Sequence, residues 1–226
     1  MTFGRLRTCV FTAITAFILN LPFAGEYQAI YAQESSKKAL QIVKRVKKIT
    51  DRIDTFSCWF EWEHVSKTAH ESQRISGTIT IKKPFKFRLV RKSNTIINDG
   101  KTVWTYLPKH NQVQITDSEY DKRNFPSPHT IFNRYSEDRD AVLLGEEEIN
   151  GRECDVLSLV PPDPEEAVVT VWVDRELDFP IKAVEEFFSG DITTHILSGV
   201  KLNEDIDDEV FAFIPPKGVD IIDMRE

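Results

Sequence analysis

Gly77-Thr78-Ile79-Thr80-Ile81-Lys82-Lys83-Pro84-Phe85-Lys86-Phe87-Arg88-Leu89-Val90-Arg91-Lys92 (GTITIKKPFKFRLVRK) holds six basic residues and two phenylalanines. Two readings compete. Basic charge interleaved with aromatic rings is one signature of nucleic-acid binding. The same letters also alternate: Ile79, Ile81, Phe85, Phe87 and Leu89 share one parity, and Thr78, Thr80, Lys82, Lys86 and Arg88 share the other. A period of two is that of a strand with one apolar and one wet face. Lys83-Pro84 divides the stretch into two such strands, because proline has no N–H to give to a ladder.

Composition decides between the readings. The 226 residues carry 29 Lys+Arg against 36 Asp+Glu, a net charge of −7. Phosphate contacts dominate affinity for nucleic acid, so an acidic chain argues against that partner and for the sheet. On this reading Lys86 and Arg88 face water, and the odd-numbered residues face something apolar.

The same period continues on both sides. Cys58, Phe60 and Trp62 alternate with Trp59, Glu61 and Glu63. Asp99-Gly100 between Thr95–Ile97 and Thr102–Leu107 is a strong hairpin signal, since that pair tolerates positive φ. Further strands are expected at Gln112–Thr116, Arg152–Val160, Ala167–Asp174, Ile181–Phe188 and Ile192–Asn203, divided by Gly and Pro clusters. Upstream, residues 36–56 repeat apolar side chains at three- and four-residue steps (Leu40, Val43, Val46, Ile49, Ile53, Phe56), which predicts an amphipathic helix with Ser35 or Ser36 as its cap. Phe125 to Tyr135 reads as a second helix, with Ser127 as cap and Pro128 in the first turn.

The expected fold is therefore mainly β: an antiparallel sheet of about ten or eleven strands, with an N-terminal helix and a mid-chain helical insertion. A sheet that wide curls or closes. Two or three short helices are too few to pack over its whole inner side, which leaves either an apolar cavity or a core filled by strand side chains.

The N-terminus reads as an export signal. Arg5 and Arg7 precede a twelve-residue apolar run, Val10 to Leu21, short of the roughly 20 residues of a membrane span. A cut after Ala32 is expected, with Ala24 or Gly25 as the alternative and an uncleaved anchor as the competing reading. Residues 33–226 then form one domain, and Cys9 is not placed to be a lipid-bearing cysteine. Cys58 and Cys154 remain, compatible with a disulfide or with two buried thiols.

Catalytic signatures are missing. There is no Gly-x-Ser-x-Gly elbow, no phosphate-binding glycine loop and no His-Glu-x-x-His. His64, His70, His110, His129 and His195 are scattered, Glu146–Glu148 reads as a solvated turn, and the acidic run 204–209 reads as a charged loop. A binding protein with no metal, no cofactor and no enzymatic activity is expected, with its 15 Phe, 4 Trp and 5 Tyr suited to an apolar ligand.

Three motifs then match a family. Gly77-x-Ile79-x-x-Lys82-Lys83-Pro84-x-x-Phe87-Arg88 resembles the Gly-x-Leu-x-x-Lys-Arg-Pro-x-x-Phe-Arg-Trp signature of LolA, the periplasmic outer-membrane lipoprotein carrier. Asp99-Gly100-Lys101-Thr102-Val103-Trp104-x-Tyr106-x-Pro108 resembles its hairpin, and Phe211-x-Phe213-x-Pro215-Pro216-x-Gly218-Val219 its C-terminal signature. The resemblance implies an unclosed β-barrel lidded by helices, whose cavity holds lipoprotein acyl chains. It implies outer-membrane lipoproteins as cargo, an inner-membrane ABC release complex as donor, an outer-membrane lipoprotein receptor as acceptor, and a soluble periplasmic monomer acting as a chaperone. The cavity residues it points to are Phe60, Trp62, Ile79, Ile81, Phe85, Phe87 and Leu89. The lid set is Lys83, which stands where the family has an Arg tied to the lid, with Ile131, Phe132 and Tyr135. Leu89 replaces the family's Trp. A carrier of free lipid or glycolipid, and a lipoprotein-sensing regulatory module of the same fold, are the alternatives.

Overall fold

The computed structural model describes residues 24–118 and 136–225. One helix, α1 (Ala24–Asp51), precedes twelve strands: β1 (Thr55–Ser66), β2 (Glu71–Lys82), β3 (Lys86–Arg91), β4 (Thr95–Asp99), β5 (Thr102–Leu107), β6 (Gln112–Asp117), β7 (Asp140–Ile149), β8 (Arg152–Val160), β9 (Val168–Asp174), β10 (Phe179–Glu186), β11 (Ile192–Leu202) and β12 (Asp220–Asp223). They form a single sheet in the order β12-β6-β5-β4-β3-β2-β1-β11-β10-β9-β8-β7. Neighbours are antiparallel except β12 and β6, which run parallel. The end strands β12 and β7 do not pair with each other, so the sheet is an unclosed barrel.

Helix α1 packs on one face of this sheet, the inner face. Ala39, Ile42, Val43 and Val46 recur at helical spacing and are buried against Ala141, Leu157, Leu159, Val169, Val171, Val173 and Ala183. Ile53, just past the helix end, packs with Phe56, Cys58, Ile81, Phe87 and Phe179 in a second cluster. Two ion pairs hold the helix from the side: Arg45 Nε lies 2.8 Å from Asp178 and Arg45 Nη2 lies 3.6 Å from Asp155.

Several expectations are corrected. The helix begins at Ala24, within the expected signal segment, and ends at Asp51, so Phe56 belongs to β1. Ser35 is not a cap; its hydroxyl donates to Leu143 O at 2.7 Å from within the helix. Leu40 is half exposed, off the packed stripe. Glu146–Glu148 lie in a strand, β7, not a turn. That strand is hard to read because a register shift between Leu143 and Gly145, with Gly145 at φ +153°, breaks its alternation. The strand count is twelve, β7 and β12 having been missed. The proposed mid-chain helix lies outside the described residues.

Of the two readings of Cys58 and Cys154, the structure has the two thiols and not the disulfide. Both are free, buried thiols. Strands β11, β10 and β9 separate β1 from β8. Following the register across them puts Cys58 on the inner face and Cys154 on the outer one. Cys58 packs with Phe56 and Phe179, Cys154 with Val156 and Trp172.

Burial pushes the Cys58 thiol up to about 12 and the Cys154 thiol up to about 11, so little reactive thiolate exists near neutral pH. Alkylation should therefore be slow in the native protein and complete for both thiols after unfolding without reductant; a linked peptide pair in the digest would contradict this. Gly77 supplies a second test. A Cβ there would lie 2.1 Å from Val90 O across the β2–β3 ladder, so neither strand can keep its place. Gly77→Ala should lower stability by about 1–3 kcal/mol, the usual cost of overpacking, read from urea unfolding midpoints.

Candidate functional site

The register of β1 to β4 builds an apolar wall. Phe56 faces Ile81, which faces Phe87; Cys58 faces Ile79, which faces Leu89, which faces Ile96. Side chains two apart share a face, so Phe60, Trp62, Ile79, Ile81, Phe87 and Leu89 all point to the inner side. Burial falls along the wall. Phe56, Ile81 and Phe87, near the end of α1, are closed over, while Phe60, Trp62, Ile79, Leu89 and Ile96 are only half buried. Ile81 and Phe87 thus form a packed floor, and the residues beyond form an accessible lining.

Phe85 differs from its expected place: it sits in the turn between β2 and β3, before the strand begins. Of the expected lid residues, Ile131, Phe132 and Tyr135 lie outside the described residues. Lys83 contacts the N-terminal helix of the expected lid. Its ammonium donates to Asp51 O at 3.0 Å, the last carbonyl of α1, and its backbone N–H donates to Asp54 O at 2.8 Å. Helix C-termini leave carbonyls without intrahelical partners, and Lys83 satisfies one of them. It joins the β2–β3 turn to the end of α1.

Further along the inner face stands a polar cluster. His64 Nδ1 is 2.9 Å from Thr193 Oγ1, and His195 Nε2 is 3.0 Å from Glu185 Oε1. Trp62 stacks on the His64 ring at 6.0 Å and 11°. Glu185 and Thr193 are buried. These residues are scattered in sequence, and only the pairing of β1, β11 and β10 brings them together.

The outer face of the same strands explains the basic residues. Lys82 and Lys86 are direct cross-strand partners, a like-charge pair that is unfavourable alone. Asp208 bridges them at 2.8 and 2.7 Å. Lys82 Nζ also donates to Ile206 O, and Arg88 Nη1 to Val210 O. Residues 206–213 thus form a strap across the outer face, with Phe211 buried beneath it and Phe213 tilted against Trp104 and Tyr106. Lys86 and Arg88 do not simply face water, and the acidic run 204–209 is a charged loop, as expected, pinned to them through Asp208 and Val210. Among the described residues no cluster of three or more His, Cys, Asp or Glu is arranged to hold a metal.

Residues 51–214 match the family described as outer membrane lipoprotein carrier protein LolA. The chain belongs to the LolA family. An outer-membrane lipoprotein carrier protein of Nitrosospira multiformis is 26% identical over 162 residues, covering 70% of this chain and 77% of that one. An uncharacterised protein of Methanocaldococcus jannaschii is 26% identical over 208 residues, 91% of this chain; this chain spans only 58% of that longer relative. Among solved structures, LprF from Mycobacterium bovis superposes with a TM-score of 0.52 at 11% identity, covering 81% of this chain and 98% of that one, a likeness of fold. In this LolA-family chain the three quoted motifs fall on the β2–β3 wall, on the β4–β5 hairpin, and on the strap and the segment leading to β12.

The strap is testable by pH. Lys82 first, then Lys86, hold the Asp208 carboxyl at about 2, below its ordinary 3.8. A depressed folded value means the ionised form stabilises the strap above the ordinary value, and that contribution is lost as pH falls from about 4 through about 2. In carbon-detected NMR, Asp208 should titrate near 2, and Lys82→Ala with Lys86→Ala should return it toward 3.8. An unshifted Asp208 in the parent protein would show that the bridge does not form.

Proposed function

We propose that this protein is a periplasmic carrier that shields the acyl chains of lipoproteins on the inner face of its sheet and moves them from the inner to the outer membrane. The observation that supports it is the half-buried apolar lining beyond the reach of α1: Phe60, Trp62, Ile79, Leu89 and Ile96 on four adjacent strands. Family membership and the carrier names of its relatives point the same way. The donor on this reading is an inner-membrane ABC release complex, the acceptor an outer-membrane receptor, and residues 1–32 are the export signal. The protein acts as a chaperone and not as an enzyme.

The energetics make a cover necessary. Burial is worth about 0.8 kcal/mol per methylene, so a chain of about sixteen carbons gains on the order of 10 kcal/mol by leaving water. A triacylated protein does not cross an aqueous compartment bare. Mass spectrometry of material bound to the protein purified from the periplasm tests the reading directly. Triacylated lipoprotein supports it; free phospholipid or glycolipid in its place would move the function to lipid carriage.

A paired substitution tests the face. Ile79 is on the inner wall, and its neighbour Thr78 is exposed on the outer side. Ile79→Glu puts a carboxylate into an apolar site without a partner, which is costly. It should reduce acyl-peptide binding by about tenfold or more, equivalent to about 1.4 kcal/mol, while Thr78→Glu leaves binding unchanged. Equal loss in both folded variants would show that the cargo does not use this face.

A further inference from the structure

Strand β1 carries one inner-facing row along its length: Phe56, Cys58, Phe60, Trp62 and His64. Its chemistry changes along the way. Phe56 and Cys58 are buried at the floor, Phe60 is half buried in the apolar lining, and from Trp62 onward the neighbours are polar. Trp62 faces His195 of β11, and His64 lies between Thr193 of β11 and Gln73 of β2. Glu185 of β10 is in turn the partner of Thr193. Cross-strand partners share a face, so the two imidazoles, the hydroxyl, the amide and the carboxyl all stand on the inner side. The closed floor lies at the other end of the strand, and Trp62 belongs both to the lining and to this cluster.

The cluster has two layers. Thr193 and Glu185 are buried behind, and each holds one half-buried imidazole in front: His64 Nδ1 is 2.9 Å from Thr193 Oγ1, and His195 Nε2 is 3.0 Å from Glu185 Oε1. Trp62 stacks on the His64 ring, so the edge of that ring, not its face, is what it offers a ligand. With Nδ1 engaged by Thr193, that edge carries Nε2. Nε2 donates when Nδ1 accepts the Thr193 hydroxyl, and accepts in the other tautomer. The height of the cluster is set by the strand. At about 3.3 Å per residue, Trp62 stands roughly 20 Å and His64 roughly 26 Å from Phe56. One layer of acyl chains is about 15 Å deep, half the hydrocarbon core of a bilayer. A chain with its tip on the floor therefore ends between Phe60 and Trp62, and the group that joins it to the rest of its molecule falls at the imidazoles.

We propose that this cluster is a head-group site, with His64 as its central contact, for the uncharged carbonyl linkage, amide or ester, that joins an acyl chain to a peptide or to glycerol. The proposal rests on the carrier reading above and names what the inner face recognises besides hydrocarbon. Level and chemistry both select this occupant. The polar groups begin where the methylenes of a seated chain run out. A carbonyl there accepts from His64 Nε2–H, and the N–H of an amide serves the other tautomer. Gln73, beside His64, offers a donor and an acceptor to the same linkage. Hydrocarbon at this level would instead cover Nε2 and leave it without a partner, which is costly. The lining thus binds the chain, and the cluster marks where the chain must end.

The test compares three probes: an N-hexadecanoyl fluorescent peptide, hexadecanoyl glycerol, and diphenylhexatriene, a hydrocarbon dye with no linkage to bond. His64→Phe keeps a ring beside Trp62 and removes both nitrogens. It should weaken binding of the acyl peptide by about fivefold, the effect of one hydrogen bond, and leave dye binding as in the parent. A second measurement needs no variant: in nitrogen NMR of the parent protein, the His64 Nε2 resonance should shift on adding an acylated probe and stay in place on adding the dye. A larger loss for the peptide than for the glycerol supports the site with lipoprotein as the source of the linkage; the reverse supports the site and moves the carrier reading to lipid. If His64→Phe weakens dye and acylated probes alike, or the Nε2 resonance ignores the acylated probes while they bind, the cluster is no head-group site and the carrier reading stands. If the parent binds neither acylated probe, the carrier reading fails, and this proposal with it.

Discussion

Among the described residues one long helix, α1, lies on the inner face of twelve strands, and by itself it does not cover that face. At about 4.8 Å per strand spacing the sheet is roughly 53 Å across its curve, and strands averaging about eight residues make it roughly 26 Å deep. A 28-residue helix is about 42 Å long and about 10 Å wide, less than half of that area. The sequence of α1 determines which part it takes. Ala39, Ile42, Val43 and Val46 close over β7 to β10, and the half-turn at Ile49 to Ile53 reaches the edge of the β1–β3 wall. The lining from Phe60 to Ile96 stays half buried beyond that edge. That α1 leaves this apolar surface aside is the geometric consequence of a large sheet crossed by one narrow helix.

The end of the helix is tied down where that lining begins. Residues 51–55 are a junction of three elements. Lys83 of the β2–β3 turn holds Asp51 O, Asn203 Oδ1 at the end of β11 accepts from Asp54 N, and Thr55 Oγ1 donates to Glu204 O. Each bond is modest, about 0.5–1.5 kcal/mol net, but they act on adjacent backbone groups and fix where α1 meets β1. The floor of the wall, Phe56, Ile81 and Phe87, lies directly beneath this junction and is closed accordingly. Openness increases with distance along the strands from it.

Much of this was legible in the sequence, and the misses have physical reasons. Alternation from Ile79 to Leu89 identified the inner wall because strand geometry converts parity directly into face. Asp99-Gly100 marked its hairpin because Gly100 adopts φ +97° there. The strand at Asp140–Ile149 was hidden by the Gly145 irregularity, and β12 by its parallel partner, β6, which lies far away in sequence. The Asp208 bridge and the His64–Thr193 contact each need the register of non-local strands. No window of sequence contains both partners, so no local pattern could have revealed them.

The inner wall and the outer strap are two sides of the same strands, so the strands can be held from the side that faces away from the cavity. Ile79 and Ile81 point inward while Lys82 points outward; Phe87 and Leu89 point inward while Lys86 and Arg88 point outward. An apolar wall facing a cavity gains by collapsing onto itself when no ligand is present, at about 25 cal/mol per Å² of surface removed from water. To resist that, β2 and β3 must be held in register by something other than the lining. The strap does this from outside: Asp208 joins Lys82 to Lys86, Val210 O accepts from Arg88, and Phe211 is buried against the face between them. None of these contacts involves a residue of the inner wall. The strands are therefore held from the side that does not line the cavity; on the carrier reading, this lets the lining release a ligand without losing the fold that presents it.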